Sequence, residues 1–549
     1  MQGEGLQFVG RKHTRQACQA CRELKRKCDG NQPCGACVRF EYECFYVNET
    51  SKRRRKENGK SVSPVVGETQ EFVPNLVENP APSTSCLRSL EANSGTAFVR
   101  RLALRLDPKN APRMDSFAWN AFLGARRAGR SPTSRSITDM LTKINMCALS
   151  AVYLDKMHPV YGFIDRGKLE RQIENRWSGD DDQAHDAVLC GVAAIGCLFS
   201  QVEASDLEAD LVETARLKLV NTIADIPSET TITAWMLRVV YLRCAETHHT
   251  AWMASCILMH MVEAAGLHCE PTDESVLTLP QEHIDPEHRR RLFAVAQHLN
   301  IWTSFDMGRS RVSLYNASTI MPSPRQGDCT TELMRLLPSS AELDPDKTHD
   351  ASELESTLIE VLNGVHSCAP SILAQCNLTL CLCRRLQSLN ACFKRTTLEQ
   401  ILNVTAKGIQ AAQTILDNRA PWHHMANIPF QIICILLSID TISSIAQIKD
   451  AMQVLRNITL VYNTEATREA LNTASLLILL QQRRKERGVS DLSNILKDYP
   501  VVSTQSNDQP TSQQLEGARW LNSIANDLST IDYSDFDRIL FPGLFHNGL

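Results

Sequence analysis

Six cysteines stand within the stretch CQACRELKRKCDGNQPCGACVRFEYEC, which runs from Cys18 to Cys44. Their order is C-x2-C-x6-C-x5-C-x2-C-x6-C, using Cys18, Cys21, Cys28, Cys34, Cys37 and Cys44. One half-pattern therefore occurs twice around the joint DGNQP. Thiolates at this spacing suit zinc, which takes four sulfur or nitrogen donors in a tetrahedron. An iron–sulfur cluster usually takes four cysteines, and one zinc would leave two of these six thiols idle. Two zinc ions need eight donor positions, which six sulfurs fill only if two of them serve both metals. No histidine lies between Cys18 and Cys44, which speaks against a Cys2His2 finger. A four-cysteine ribbon would need a longer gap between its pairs.

Charge supports metal-bound thiolates beside a polyanion. Six thiolates and two Zn²⁺ leave an excess of −2, which the neighbouring Arg22, Lys25, Arg26 and Lys27 offset while favouring the thiolate form. Residues 11–60 hold 14 Lys/Arg against 6 Asp/Glu, a net of +8, although the whole chain carries −4 and the remainder therefore −12. A basic head on an acidic body is the pattern of a protein whose head alone meets nucleic acid. Lysine or arginine can donate to guanine O6 and N7, with discrimination of about 1–3 kcal/mol for a good bidentate contact. Further cations would act on phosphates and make the affinity salt-dependent.

The spacing, the basic run CRELKRKCD and the proline before the fourth cysteine in GNQPC resemble the fungal Zn2Cys6 binuclear cluster family of transcription regulators. The resemblance covers residues 18–44. It implies two Zn²⁺ ions, with Cys18 and Cys34 as the shared sulfurs, a short helix after each C-x2-C start, and a turn at Pro33. It further implies that the first helix enters the DNA major groove at a CGG-like triplet. The base contact maps onto Lys25, with Arg15, Arg22, Arg26 and Lys27 as further DNA contacts. The chain departs from the family at Leu24, where a basic residue often stands, and Arg26 is the next cation along.

The elements that must carry this head follow in order. Residues 1–15 read as a basic tail, 16–47 as the DNA-binding domain and 48–88 as a linker. In the linker, the block Lys52, Arg53, Arg54, Arg55 and Lys56 reads as a nuclear localisation signal or a phosphate-tracking arm. Pro64, Pro74, Pro80 and Pro82 lie among Ser, Thr, Glu and Asn, a composition that suits a flexible tether. No run of apolar heptads follows the cluster, so no coiled coil is expected there. The chain then either binds one triplet alone or pairs through another part.

From 89 to 500 the apolar period is helical. MCALSAVYLDKM, AVLCGVAAIGCLF, TAWMLRVVYL and AWMASCILMHMVEAAGL place apolar residues at i, i+3, i+4 and i+7. The expectation is an all-α fold, with Gly266 capping a helix end. KMHPVYGFIDR, EAAGLHCEP and EHRRRLFAVAQHLNIWTSFDMGRS resemble the middle homology region, the regulatory domain found behind such clusters. Arg289, Arg290 and Arg291 read as ion-pair partners of helix carboxylates or of the loop before Asp306, and His158 as a capping or core histidine. His248-His249 and His423-His424 lack i, i+4 spacing and a neighbouring carboxylate, so hydrolytic zinc chemistry is not expected. Neither a Walker A, a G-x-S-x-G nor a G-x-G-x-x-G motif stands in a strand–turn–helix context, and the chain reads as no enzyme.

With 43% hydrophobic and 22% charged residues, the composition is that of a soluble globular protein. The longest apolar run, IPFQIICILLSI, is too short to span a bilayer, and no secretory leader is apparent. Fourteen of the 20 cysteines lie outside the cluster, and nearly all are expected as small buried hydrophobes, Cys376, Cys381 and Cys383 included. In the tail, 501–549, Asp527, Asp532, Asp535 and Asp537 alternate with Leu528, Ile531, Tyr533, Phe536 and Leu540. That pattern reads as an activation segment, or else as a helix docked on the body. The reading is a nuclear, sequence-specific DNA-binding transcription regulator, with an activator expected from the tail and a repressor as its rival. Its partners would be duplex DNA, coactivators or corepressors, a second copy of the chain, and a small-molecule effector in the helical interior, with no membrane among them. The rival is a helical enzyme or adaptor with an appended zinc module.

Overall fold

The apolar periods become buried helix faces in the computed structural model of the chain. It describes residues 17–18, 21, 28, 31, 34, 94–112, 123, 126, 129–179, 183–271, 284–344 and 350–499. The chain divides into two units, Met1–Ala81 and Pro82–Leu549. Among the described residues the second unit holds only helices and no strand.

Its first half contains α1 (Gly95–Leu106), α2 (Ile137–Met140), α3 (Lys143–Lys156), α4 (Arg166–Trp177), α5 (Asp186–Ser200), α6 (Asp206–Asn221), α7 (Glu229–Ala245), α8 (His248–Ala264) and α9 (Pro286–Met307). Two short helices follow, α10 (Thr330–Met334) and α11 (Leu337–Ala341). The second half contains α12 (Ala351–Asn363), α13 (Ala369–Ser388), α14 (Arg395–Asp417), α15 (Asn427–Ile439), α16 (Ile442–Tyr462) and α17 (Glu465–Asp498). Helix α5 packs on α3, α6 and α7, and α8 packs between α7 and α9. The link to the second half runs from α9 through α10 to α13, and through α11 to α12. Helix α1 crosses the chain to lie on α15 and α17.

Local signals set the helix ends. Ser94, Thr142, Asp165, Ser205, Ser228, Thr247, Asp285 and Thr464 each accept a hydrogen bond from the amide three residues on, replacing a partner that the first turn lacks. Gly266 takes a left-handed φ of 69°, and its N–H donates to Glu263 O while Leu267 N–H donates to Val262 O. This is the paired closure that a glycine past a helix end permits, as the sequence indicated.

Two glycines set how closely α5 is approached. A Cβ on Gly196 would lie 2.5 Å from the Leu149 carbonyl oxygen of α3, and one on Gly191 would lie 3.0 Å from Leu237 Cβ of α7. Helix α15, which holds the apolar run, is buried from Ile428 to Leu437. Among the described residues no helix is long and apolar enough to cross a membrane. Helix α17 has 34 residues, about 51 Å at 1.5 Å per residue, and everything from Gln482 to Tyr499 is exposed. Beside its middle, Leu437, Ile445, Ile448, Ile478 and Val489 line an apolar groove of about 550 Å³.

The expectation for the scattered cysteines needs correction. Cys190, Cys197, Cys244, Cys376, Cys381, Cys383 and Cys434 are buried, but Cys256, Cys269, Cys329 and Cys368 are half-buried and Cys147 and Cys392 exposed. Apolar neighbours in sequence do not decide which face of a helix a residue occupies. Cys147 sits on the outer face of α3, Cys392 lies beyond the end of α13, and Cys329 and Cys368 precede helices. Cys86 lies outside the described residues.

Candidate metal centre and nucleic-acid interface

The first unit brings together sulfurs that are 16 residues apart. Cys18, Cys21 and Cys34 are 0, 2 and 0% exposed, and Cys28 is half-buried. Their four Sγ atoms all lie within 4.8 Å of one another. The Cys18–Cys34 and Cys21–Cys34 sulfur separations are both 3.7 Å. A tetrahedral zinc with sulfurs at about 2.3 Å holds them about 3.8 Å apart, so the donor set fits that ion. Cys34 begins the second half-pattern, yet it sits among the three sulfurs of the first. Burial pushes the Cys21 thiol up to about 12, and the hydrogen bonds and charges of Cys18 and Cys34 add to this. Thiols so close ionise together only when a cation shares them. Cys37 and Cys44 lie outside the described residues, as do Arg15, Arg22, Lys25, Arg26, Lys27, the block from Lys52 to Arg53, Arg54, Arg55 and Lys56, and the tail 501–549.

In the body, the three arginines of α9 face inward. Arg289 is 2% exposed and donates to the carbonyls of Gly266 and Cys269. Arg290 makes a two-pronged contact with Glu270 at 2.9 and 3.0 Å. Arg291 is fully buried and binds Glu287 one turn earlier, Asp328, and the carbonyls of Gly162 and Ser323. Arg290 and Arg291 are ion-pair partners, as expected, whereas Arg289 binds backbone carbonyls, and the three join segments of all three body signatures. Asp306, however, lies within α9 and pairs with Arg243 at 3.1 Å, not with these arginines.

Asp306 also changes the reading of His423-His424. A carboxylate does neighbour them, since His424 Nε2 lies 3.7 Å from Asp306 Oδ2, although 118 residues separate the two in sequence. Burial pushes Asp306 up, but His424 and Arg243 outweigh it and hold the carboxyl at about 2. Burial holds His298 and His423 well below the ordinary imidazole value. Arg243 and His424 add to this for both, and His248 for His423, while Asp306 opposes it at His298. The cavity lined by Arg243, His248, Asp306, His423 and His424 has about 20 Å³, room for one water.

These imidazoles bear on stability. An unfolded chain binds protons at them as pH falls below about 6.5, whereas the folded chain does not. Stability is therefore full above that value and declines as pH drops through it, by up to about 1.4 kcal/mol per pH unit for each buried imidazole. Thermal melts from pH 7 to 5 should show this decline, and His298→Phe should flatten it. An unchanged slope in that variant would remove His298 from the account.

Four converging sulfurs in a stretch whose sequence is rich in Lys and Arg, ahead of a helical body, fit the class of zinc-dependent DNA-binding transcription regulators, and the family matches establish it. The fungal Zn(2)-Cys(6) binuclear cluster domain matches residues 16–54, and the fungal specific transcription factor domain matches residues 151–403. The chain is 60% identical to Protein RDR1 of Gibberella zeae over 98% of its own length and 99% of that protein. It is 37% identical to transcription factor kojR of Aspergillus oryzae, over 97% and 94% of the two chains. It is 31% identical to Protein RDR1 of Saccharomyces cerevisiae, over 88% and 92%. The chain belongs to the fungal zinc-cluster transcription factors. Membership removes the rival of an enzyme carrying a zinc module.

Proposed function

We propose that this chain is a nuclear regulator that reads CGG-like triplets in duplex DNA through a two-zinc cluster, with Cys18 and Cys34 shared between the metals. The placement of Cys34 among Cys18, Cys21 and Cys28 carries the reading, because a sulfur shared by two ions must sit with both sets of ligands. Cys37 and Cys44 complete the second set. Lys25 makes the base contact, Arg15, Arg22, Arg26 and Lys27 hold the duplex, and Lys52, Arg53, Arg54, Arg55 and Lys56 direct nuclear entry. Residues 16–47 act as the reader, 48–88 as its linker, 89–500 as the regulatory domain and 501–549 as the segment that meets coactivators. A small apolar effector acting on the body has a groove of suitable volume beside α17.

Lys25→Ala should retain its zinc and lose roughly tenfold or more in affinity for a site selected from random DNA. Affinity of the parent should fall steeply as salt rises from about 50 to 200 mM. A Lys25→Ala protein that binds the selected site as tightly as its parent would reject the assignment.

A further inference from the structure

A second convergence of metal-type donors lies in the body. Cys329 immediately precedes α10, and Glu332 follows three residues later on the same face of that helix. Cys368 immediately precedes α13. The two sulfurs and a Glu332 carboxylate oxygen lie within 4.8 Å of one another, and all three residues are half-buried. The His366 side chain is 3% exposed, and its Nδ1 has no hydrogen-bond partner and stands 3.8 Å from Glu332 Oε2.

The surroundings resemble a prepared ligand shell. The Glu332 carboxylate accepts from the Ser367 N–H at 2.9 Å and from the hydroxyls of Ser367 and Ser371. Such outer hydrogen bonds fix the direction of a ligating carboxylate. Thiolates favour zinc-like or softer ions over magnesium or calcium, and an imidazole plus a carboxylate completes a common zinc set.

We propose that Cys329, Cys368 and Glu332 bind one zinc-class divalent ion, with the buried His366 standing beside Glu332. The ion braces the start of α10 against the start of α13. Cys329 itself donates its N–H to Pro159 O at 2.7 Å, and its neighbour Thr330 accepts from the Gly162 N–H and donates to Val160 O. The site thereby ties the second half of the body to the arginine hub of the first.

The test compares the full-length chain with its Cys329→Ser/Cys368→Ser double variant, both dialysed in reductant against low-micromolar zinc. The parent should retain one more zinc per chain than the double variant. Because the N-terminal cluster is the same in both, its own metal count cancels. Cobalt in place of zinc should show a thiolate charge-transfer band that weakens by the share of this site. Glu332→Gln, which keeps both thiols and an oxygen to accept from the Ser367 N–H and the Ser371 hydroxyl, should weaken the extra zinc at least tenfold and serves if the double variant fails to fold. Equal zinc in parent and double variant, or unchanged zinc affinity in Glu332→Gln, overturns the site.

Discussion

Cys34→Ala is expected to release both zinc ions and to abolish sequence-specific DNA binding. Cys34 Sγ lies 3.7 Å from Cys18 Sγ and 3.7 Å from Cys21 Sγ, so its loss opens the first set directly. In the proposed cluster it is also a ligand of the second ion, which then keeps only three sulfurs. Structural zinc contributes on the order of 10–16 kcal/mol of apparent folding free energy in small domains at neutral pH. No apolar core within so short a stretch could replace that. Cys28→Ala is the discriminating control, since it removes a ligand of one ion only and should release one zinc. Metal content by mass spectrometry and binding to the selected site read both variants. A Cys34→Ala protein that loses only one zinc relative to its parent would end the shared-sulfur account.

Arg291→Met should destabilise the body by about 3–5 kcal/mol, the cost of breaking a buried ion pair by removing one partner. The guanidinium is fully buried and holds Glu287, Asp328 and the Gly162 and Ser323 carbonyls. Methionine fills much of the volume but leaves the Asp328 carboxylate and two carbonyls without this donor. Asp328 retains its contacts from Thr330, which places the expected cost at the lower end. Gly162 shows how tight the site is, since a Cβ there would lie 2.8 Å from Asp328 Oδ2. Arg166, whose pair with Glu170 is 68 and 65% exposed, gives the contrast, and its replacement should cost roughly 0–1 kcal/mol. Denaturant midpoints of the full chain measure both. Equal small losses in the two variants would show that the buried network does not hold α9 to the segments around Gly162 and Asp328.

What could be read from the sequence follows the distance over which each feature acts. The cysteine spacing was legible because all its ligands fall within 27 residues, and metal geometry restricts the gaps. Gly266 was legible because its closure involves only the residues around it. The inward role of Arg289, Arg290 and Arg291 could be inferred from their place in an apolar helix, but their partners could not. Asp328 is 37 residues from Arg291, and Gly162 is 129. His424 and Asp306 meet only because α9 packs near the start of α15, and no spacing rule links them. The same holds for Cys329 and Cys368, which were folded into the expectation of inert buried thiols. A cluster that forms across helices leaves no local pattern, so its members look like ordinary residues until the packing is known.

Helix α1 also bears on where the body can be cut. The matched family segment begins at residue 151 and ends at 403, inside α14. Yet Phe98, Val99, Leu102 and Leu106 bury themselves against α15 and α17, and Arg487 near the far end of α17 donates to the Leu106 carbonyl. The first and last described helices thus seal one another. A fragment trimmed to the family boundaries would expose raw hydrophobic surface on both sides and invite aggregation, whereas one running from Ser94 to Tyr499 keeps its own seam closed.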